Sequence, residues 1–179
     1  MMKMKELKLY DIKFSGLKNG NHQLKFHLEP DFFHHFDYDE FDKHDLDILI
    51  DINKAETILE FSVEVNGSVR LNCDISGEPY NQKINGQINF IIKFGEAFND
   101  DREDLIILPY QSHTYNIARQ IYETVVLSIP QKRIHPYLVS GKMTTENTKY
   151  IINYQEDKPK TKEIDPRWAA LKKILTDKK

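Results

Sequence analysis

The sequence predicts an α+β fold whose core is a mostly antiparallel, curved sheet or partly open barrel. Apolar and polar residues alternate over about half of the chain, which is typical of half-buried strands. A segment near 115–128 has apolar residues at helical spacing instead, and an amphipathic helix is predicted at 166–175. The 179 residues fit one α+β domain at 1–155, followed by a basic tether and the C-terminal helix at 156–179.

Two strands and one helical turn are predicted in the first part of the chain. Two groups of apolar residues alternate with polar ones on either side of a turn rich in Gly and Asn: Tyr10, Ile12 and Phe14, and then Leu24, Phe26 and Leu28. The stretch PDFFHHF at 30–36 predicts a single helical turn. The acidic residues that follow, at 37–45, predict a solvated loop.

The middle of the chain predicts a run of antiparallel strands. Alternation continues through four stretches: 46–53, 59–66, 69–75 and 84–94. Asn66-Gly67 predicts a hairpin turn between the second and third stretches. A two-residue loop would pair Val65 with Ser68 and place the two apolar stripes on opposite faces. We therefore expect a three-residue loop, or a two-residue loop with a bulge.

The main helix is predicted within 115–128, and Pro130 ends it. Its apolar stripe consists of Ile117, Ala118, Ile121, Tyr122, Val125 and Val126. A polar loop is expected before it at 96–103, and a short strand after it at 148–154.

The C-terminal helix has its own start signals. Asp165 is a suitable N-cap and Pro166 suits the first helical position. Trp168, Leu171 and Leu175 form one apolar stripe. A helix this short is marginal alone, so it needs an apolar surface. That surface can belong to its own domain or to a partner, and the sequence leaves both open.

Charge is distributed unevenly although the net charge is only −3. The acidic segment, residues 29–51, has nine acids against one lysine, a net of −8. The basic segment, residues 158–179, has eight bases against three acids, a net of +5. This asymmetry indicates either a basic tail presented to an acidic partner or an attraction between the two segments of one chain.

Most catalytic and metal chemistries lack support. The sequence has no Gly-rich phosphate loop and no GxSxG element. Cys73 continues an apolar stripe, which favours a buried, inert thiol. His34, His35 and His44 lie among carboxylates without a metal-ligand spacing, so neither a metal site nor a hydrolase or nuclease centre is expected there. We expect a non-enzymatic protein without a cofactor.

The expected compartment is the cytoplasm. The sequence has one cysteine, which favours a reducing environment, and it shows no apolar leader. No run of residues is long and apolar enough for a membrane helix, so no membrane association is expected.

Three blocks of sequence, in this order, resemble the YceD-like family of large-subunit ribosomal RNA accumulation proteins, formerly a domain of unknown function. They are VRLNCDISGEPY at 69–80, VVLSIPQKRIHP at 125–136 and DPRWAALKKIL at 165–175. The motif positions within them are Cys73, Pro79, Pro130, His135, Asp165 and Pro166. The family often has Cys-x-x-Cys in the first block, but Ser76 replaces the second cysteine here. A structural bend shaped by Ser76, Gly77 and Pro79 is therefore expected in place of a metal or redox role.

The resemblance implies a non-enzymatic factor for large ribosomal subunit assembly or 23S rRNA accumulation, with large-subunit rRNA, a ribosomal precursor or a ribosomal protein as partner. Lysine and arginine interleaved with tryptophan suit phosphate contacts and base stacking. The candidate phosphate contacts are Lys132, Arg133, Lys158, Lys160, Lys162, Arg167, Lys172 and Lys173, and the candidate apolar anchor is Trp168, Leu171 and Leu175. The alternative is a protein-interaction module that holds a basic partner on the acidic loop without contacting RNA. The oligomeric state is left open.

Overall fold

The computed structural model describes residues 7–102 and 104–142. The predicted α+β class with one main helix is confirmed for these residues. The strands are β1 (Asp11–Ile12), β2 (Gly20–His27), β3 (His44–Lys54), β4 (Ile58–Asn72), β5 (Pro79–Gly95), β6 (Asn99–Arg102), β7 (Leu105–Pro109) and β8 (Tyr115–Asn116). The helices are α1 (Ala118–Ser128) and the short α2 (Pro136–Val139), and single 3₁₀ turns occur at Leu7–Tyr10, Phe14–Gly16 and Phe33–Phe36.

The chain divides into two units, Met1–His135 and Pro136–Lys179. The first contains all the strands named above and α1. The second is described only from Pro136 to Lys142, which includes α2. The predicted domain boundary at 155/156, the strand at 148–154 and the helix at 166–175 lie outside the described residues and stay predictions.

The central sheet has six strands in the order β2-β3-β4-β5-β7-β6. Its pairings are antiparallel except that of β5 with β7, which is parallel. The sheet is mixed and not closed, since β2 and β6 are its two edges. The predicted curvature stays a prediction. A separate pair joins β1 to β8, where Asp11 lies opposite Asn116.

The predicted turn at Asn66-Gly67 is wrong, because β4 passes straight through it. Gly67 lies opposite Leu46 of β3 and Ile84 of β5, so both neighbouring strands remain paired at this point. The apolar alternation keeps the same parity from Val65 to Val69, which is what one continuous strand requires. The real turn is at 73–78, where β4 ends and β5 begins.

The buried face of the sheet is built by this uninterrupted alternation. It consists of Leu46, Ile48, Ile50 and Ile52 of β3, Leu59, Phe61, Val63, Val65, Val69 and Leu71 of β4, and Tyr80, Ile84, Phe90 and Ile92 of β5. Helix α1 covers this face, and its Ile121 and Val125 are fully buried. Gly86 of β5 allows the close approach, because a Cβ there would lie 1.9 Å from Ser128 Oγ.

Three further boundaries differ from the predictions. The N-terminal strand shrinks to β1, with 3₁₀ turns on both sides, although Tyr10, Ile12 and Phe14 are all buried. The expected polar loop at 96–103 contains β6, and β7 follows without having been predicted. The main helix begins at Ala118 and not near 115, because the two residues of β8 pair with β1 first.

Gly67→Ala should destabilise the protein strongly. A Cβ at this position would lie 2.0 Å from the backbone oxygen of Asp45, and the φ angle is +151°. We expect a loss of roughly 2 kcal/mol or more in the free energy of unfolding, measured by urea denaturation. Gly16→Ala is the matched control, since nothing lies within 4 Å of its added Cβ. Equal stabilities of the two variants would contradict the continuous β4.

Candidate functional site

Among the candidate contact residues that the structure describes, Arg133 is held in place by an ion pair and by backbone hydrogen bonds. Its Nη2 forms an ion pair with Glu40 of the acidic segment. Its backbone N–H donates to Asp74 Oδ2 at 2.8 Å, and its carbonyl oxygen accepts the Asp74 N–H at 2.8 Å. The hydrogen bond to Glu40 raises the pKa of the guanidinium above its ordinary value. Arg133 therefore joins three chain segments, and its charge is already paired.

Lys132 has a different environment from Arg133. Its side chain is exposed, whereas that of Arg133 is partly buried. The other candidate contacts, namely Lys158, Lys160, Lys162, Arg167, Trp168, Leu171, Lys172, Lys173 and Leu175, lie outside the described residues, as do Asp165 and Pro166. Within the described chain, Lys132 is thus the predicted contact whose charge faces solvent.

The acidic segment is anchored by aromatic rings, which the sequence analysis did not anticipate. Phe36 stacks on Tyr122 of α1 with ring centroids 4.4 Å apart, and Tyr38 meets the same ring edge-on at 5.7 Å. Burial, followed by the negative charge of Glu40, raises the pKa of Tyr38 to about 12. These contacts place Glu40 beside Arg133. The signal in the sequence for this anchoring was the alternation of aromatic and acidic residues in FHHFDYDEF.

Cys73 forms the start of the bend between β4 and β5. Its N–H donates to the Glu78 oxygen at 2.9 Å, and its oxygen accepts the Gly77 N–H at 2.8 Å. Gly77 has a φ of +72°, a conformation that favours glycine. Pro79 then opens β5 opposite Asn72. The bend is therefore held by backbone hydrogen bonds around a cysteine that is only 3% exposed.

The Cys73 sulfur is an acceptor for several N–H groups. Burial alone would raise the pKa of the thiol, but hydrogen bonds from Ser76, from the His135 amide and from the Ile75 amide outweigh it and lower the pKa. The His135 N–H lies 3.2 Å from Sγ. The residue that replaces the family's second cysteine, Ser76, therefore still contributes a hydrogen bond to the first.

Two of the sequence blocks quoted above meet at this place. Cys73 contacts His135, Asp74 contacts Arg133, and the rings of Tyr80 and His135 lie 5.4 Å apart. Helix α1 ends at Ser128, the backbone is extended at Ile129, and Pro130 follows. The segment 130–135 thus leaves the helix and returns to the bend of the sheet. Residues about sixty positions apart form one structural unit.

The sequence of this chain also matches a protein-family model. The family model described as "Large ribosomal RNA subunit accumulation protein YceD" matches residues 61–175. The chain belongs to the YceD family. The match includes both blocks that meet at Cys73, and the resemblance inferred from the sequence is confirmed. Neither the curated proteins nor the solved structures contain a significant match.

The described residues of this YceD family member contain neither a membrane-spanning helix nor a cluster of metal ligands. None of the helices between residues 7 and 142 has the length and apolar character needed to cross a membrane. In the histidine-rich stretch, the ring of His44 packs edge-on against Phe33 with ring centroids 5.0 Å apart, and its Nε2 lies 3.3 Å from the Pro30 oxygen. In the same residues no three His, Cys, Asp or Glu side chains converge as metal ligands.

The lowered pKa of Cys73 predicts a pH-dependent stability. A group whose pKa is lower in the folded state stabilises it increasingly as the pH rises through that pKa, fully above the ordinary value of 9.0. Cys73→Ser removes the titrating group and keeps its size. The difference in unfolding free energy between the wild type and this variant should grow from pH 6 to pH 9.5 in urea titrations. A constant difference across this range would show that folding does not lower the pKa of Cys73.

Proposed function

We propose that this protein supports large ribosomal subunit assembly by binding large-subunit rRNA or its precursor particle in the cytoplasm. Membership of a family named for large ribosomal RNA subunit accumulation carries this proposal. The binding mode is inferred from the distribution of charge. We assign the RNA contact to the basic segment, with Lys132 as an additional phosphate contact.

The charge of the described residues supports this assignment. Residues 7–102 and 104–142 contain twenty acids and fourteen bases, a net of −6. An RNA backbone would be repelled by most of this surface. The basic segment has the opposite sign, with a net of +5. Arg133 contributes less than predicted, because binding a phosphate would require it to leave Glu40.

In this function the protein would act as a non-enzymatic factor that needs no cofactor. Cys73, a nucleophilic side chain by type, is buried and receives hydrogen bonds that fix the bend. Reactive cysteines are usually at least partly exposed, so a thiol as buried as this one is better suited to a structural role than to attack on a substrate. The function we propose therefore rests on binding alone.

One observation favours a second candidate function, a module that holds a basic protein partner such as a ribosomal protein. The acidic segment presents its carboxylates to solvent; Glu29, Asp31, Asp37, Asp39, Glu40, Asp42, Asp45 and Asp47 are all exposed. Of these, Glu40 pairs with Arg133, while Asp45 and Asp47 lie 4.0 Å and 3.0 Å from the ring nitrogens of His27. A surface with this excess of negative charge attracts lysine- and arginine-rich chains.

Removal of the basic segment should abolish RNA binding. We expect the full chain to co-sediment with large-subunit precursor particles and a chain ending at Asp157 to remain in the supernatant. The affinity of the full chain for rRNA should fall log-linearly with salt, with a slope set by the number of phosphates neutralised. Lys132→Ala should reduce that slope by about one, and Arg133→Ala by less.

The truncated chain must be shown to be folded, which circular dichroism and urea unfolding can test. Equal co-sedimentation of the folded truncated chain and the full chain would refute the assignment of the RNA contact to the basic segment. Binding of a ribosomal protein in the absence of RNA, with little dependence on residues 158–179, would instead support the second candidate function.

A further inference from the structure

A surface cavity of about 500 Å³ lies over the sheet near the start of β3. Arg70 of β4 lines it and alternates with the buried Val69 and Leu71, so Arg70 lies on the face that α1 does not cover. The Arg70 N–H donates to the Lys43 oxygen at 2.9 Å, and Arg70 pairs in register with Asn81 of β5. Residues opposite one another on neighbouring strands share a face. Lys43, Arg70 and Asn81 therefore form one row across the sheet, and all three line the cavity.

A second row of side chains lies next to the first on the same face. Ser68 of β4 pairs with Asp45 of β3 and with Lys83 of β5. Asp45 and Ser68 also line the cavity. The two rows together, the sheet patch, consist of Lys43, Asp45, Ser68, Arg70, Asn81 and Lys83. The net charge of the sheet patch is +2, from three cations and one carboxylate, whereas the described residues as a whole have a net of −6.

Arg70 differs from the other three arginines that the structure describes, because its charge is not paired. The ion pairs of the other three are Arg102 with Asp104, Arg119 with Asp100 and Glu123, and Arg133 with Glu40. Within residues 7–102 and 104–142, no carboxylate forms an ion pair with Arg70, although its side chain is half-buried. A guanidinium stays charged at neutral pH, and a partly desolvated charge without a counter-ion is unfavourable. An anion from outside the chain would therefore stabilise Arg70.

We propose that the sheet patch binds a phosphate group of the large-subunit rRNA backbone. Arg70 would donate two hydrogen bonds to the phosphate oxygens through its planar guanidinium, which matches their geometry. Lys43 and Lys83 would add positive charge on either side, and the Ser68 hydroxyl and the Asn81 amide are further donors. The inference rests on the proposed function and deepens it, since it adds an RNA contact on the sheet to the one assigned to the basic segment.

The surroundings of the sheet patch indicate a contact with the RNA backbone and not with the bases. Bases need exposed aromatic faces on which to stack. Tyr80 lines the cavity, but it is only 6% exposed. The next row on the same face is Asp47, Asn66 and Asn85, which has no lysine or arginine, so the positive charge is confined to one end of the sheet. A contact of this kind positions the RNA without reading its sequence.

Filter binding of the full chain to purified large-subunit rRNA, over a range of salt concentrations, tests the proposal. Arg70→Gln should reduce the slope of log affinity against log salt by about 0.7 to 0.9, the value for one phosphate, and weaken binding about fivefold near 0.1 M salt. Arg102→Gln is the matched control, because it removes the same charge from an arginine that is already paired with Asp104. This variant should keep the wild-type slope.

Two further variants separate the loss of a charge from damage to the fold. Arg70→Lys keeps the charge but not the planar guanidinium, so it should restore most of the salt slope and only part of the affinity. Lys43→Gln removes an exposed cation of the same row and should reduce the slope as Arg70→Gln does. Urea unfolding shows whether each variant is folded, and if Arg70→Gln is not, Lys43→Gln decides. The same losses should appear with polyuridylate, because phosphate contacts carry no sequence information.

Three results would overturn the proposal. The first is a wild-type salt slope in the folded Arg70 and Lys43 variants, and the second is an equal loss in Arg102→Gln. The third is binding of a labelled octaglutamate peptide that depends on Arg70 while the rRNA affinity does not, which would make an acidic protein segment the occupant. The wild-type chain tests the proposed function itself: if it does not bind rRNA, both proposals fail. If it binds and Arg70→Gln binds equally well, only the sheet patch is refuted.

Discussion

The continuous pairing of β4 with both of its neighbours is the constraint on which the rest of the structure depends. All fifteen of its residues pair with β5, and residues 59–69 pair with β3 on the other side without a break. A shift by one residue would turn Phe61, Val63 and Val65 away from the helix. The place where α1 packs, the position of Gly86 and the location of the bend at Cys73 all follow from this register.

The bend and the segment after α1 form the second organising element. Hydrogen bonds join the two: the His135 N–H donates to the Cys73 sulfur, and the Arg133 N–H donates to the Asp74 carboxylate. Such groups must be satisfied once they are withdrawn from water. These hydrogen bonds hold together two blocks that lie about sixty residues apart in the sequence.

The sequence predicted well whatever depends on periodic burial. The α+β class, the long strands and the core side of α1 follow from apolar residues at period two or 3.6. It failed where a local preference was overruled by pairing: Asn66-Gly67 favours a turn in isolation, but unbroken parity from Val65 to Val69 was the better guide. Arg133 stays a predicted phosphate contact; what the sequence did not predict is its pairing with Glu40, which depends on an aromatic cluster that only the folded chain assembles.

The contacts that close the domain also set an order in which it can be completed during synthesis. The strands β2 to β5 follow one another as neighbours in the sheet, so they can pair as they leave the ribosome. Asn116 must reach back 105 residues to Asp11, and His135 must reach back 62 residues to Cys73. Until His135 has emerged, the sulfur at the bend lacks its donor from that segment. The strands β2 to β5 can therefore pair before the contacts of Asn116 and His135 complete the first unit.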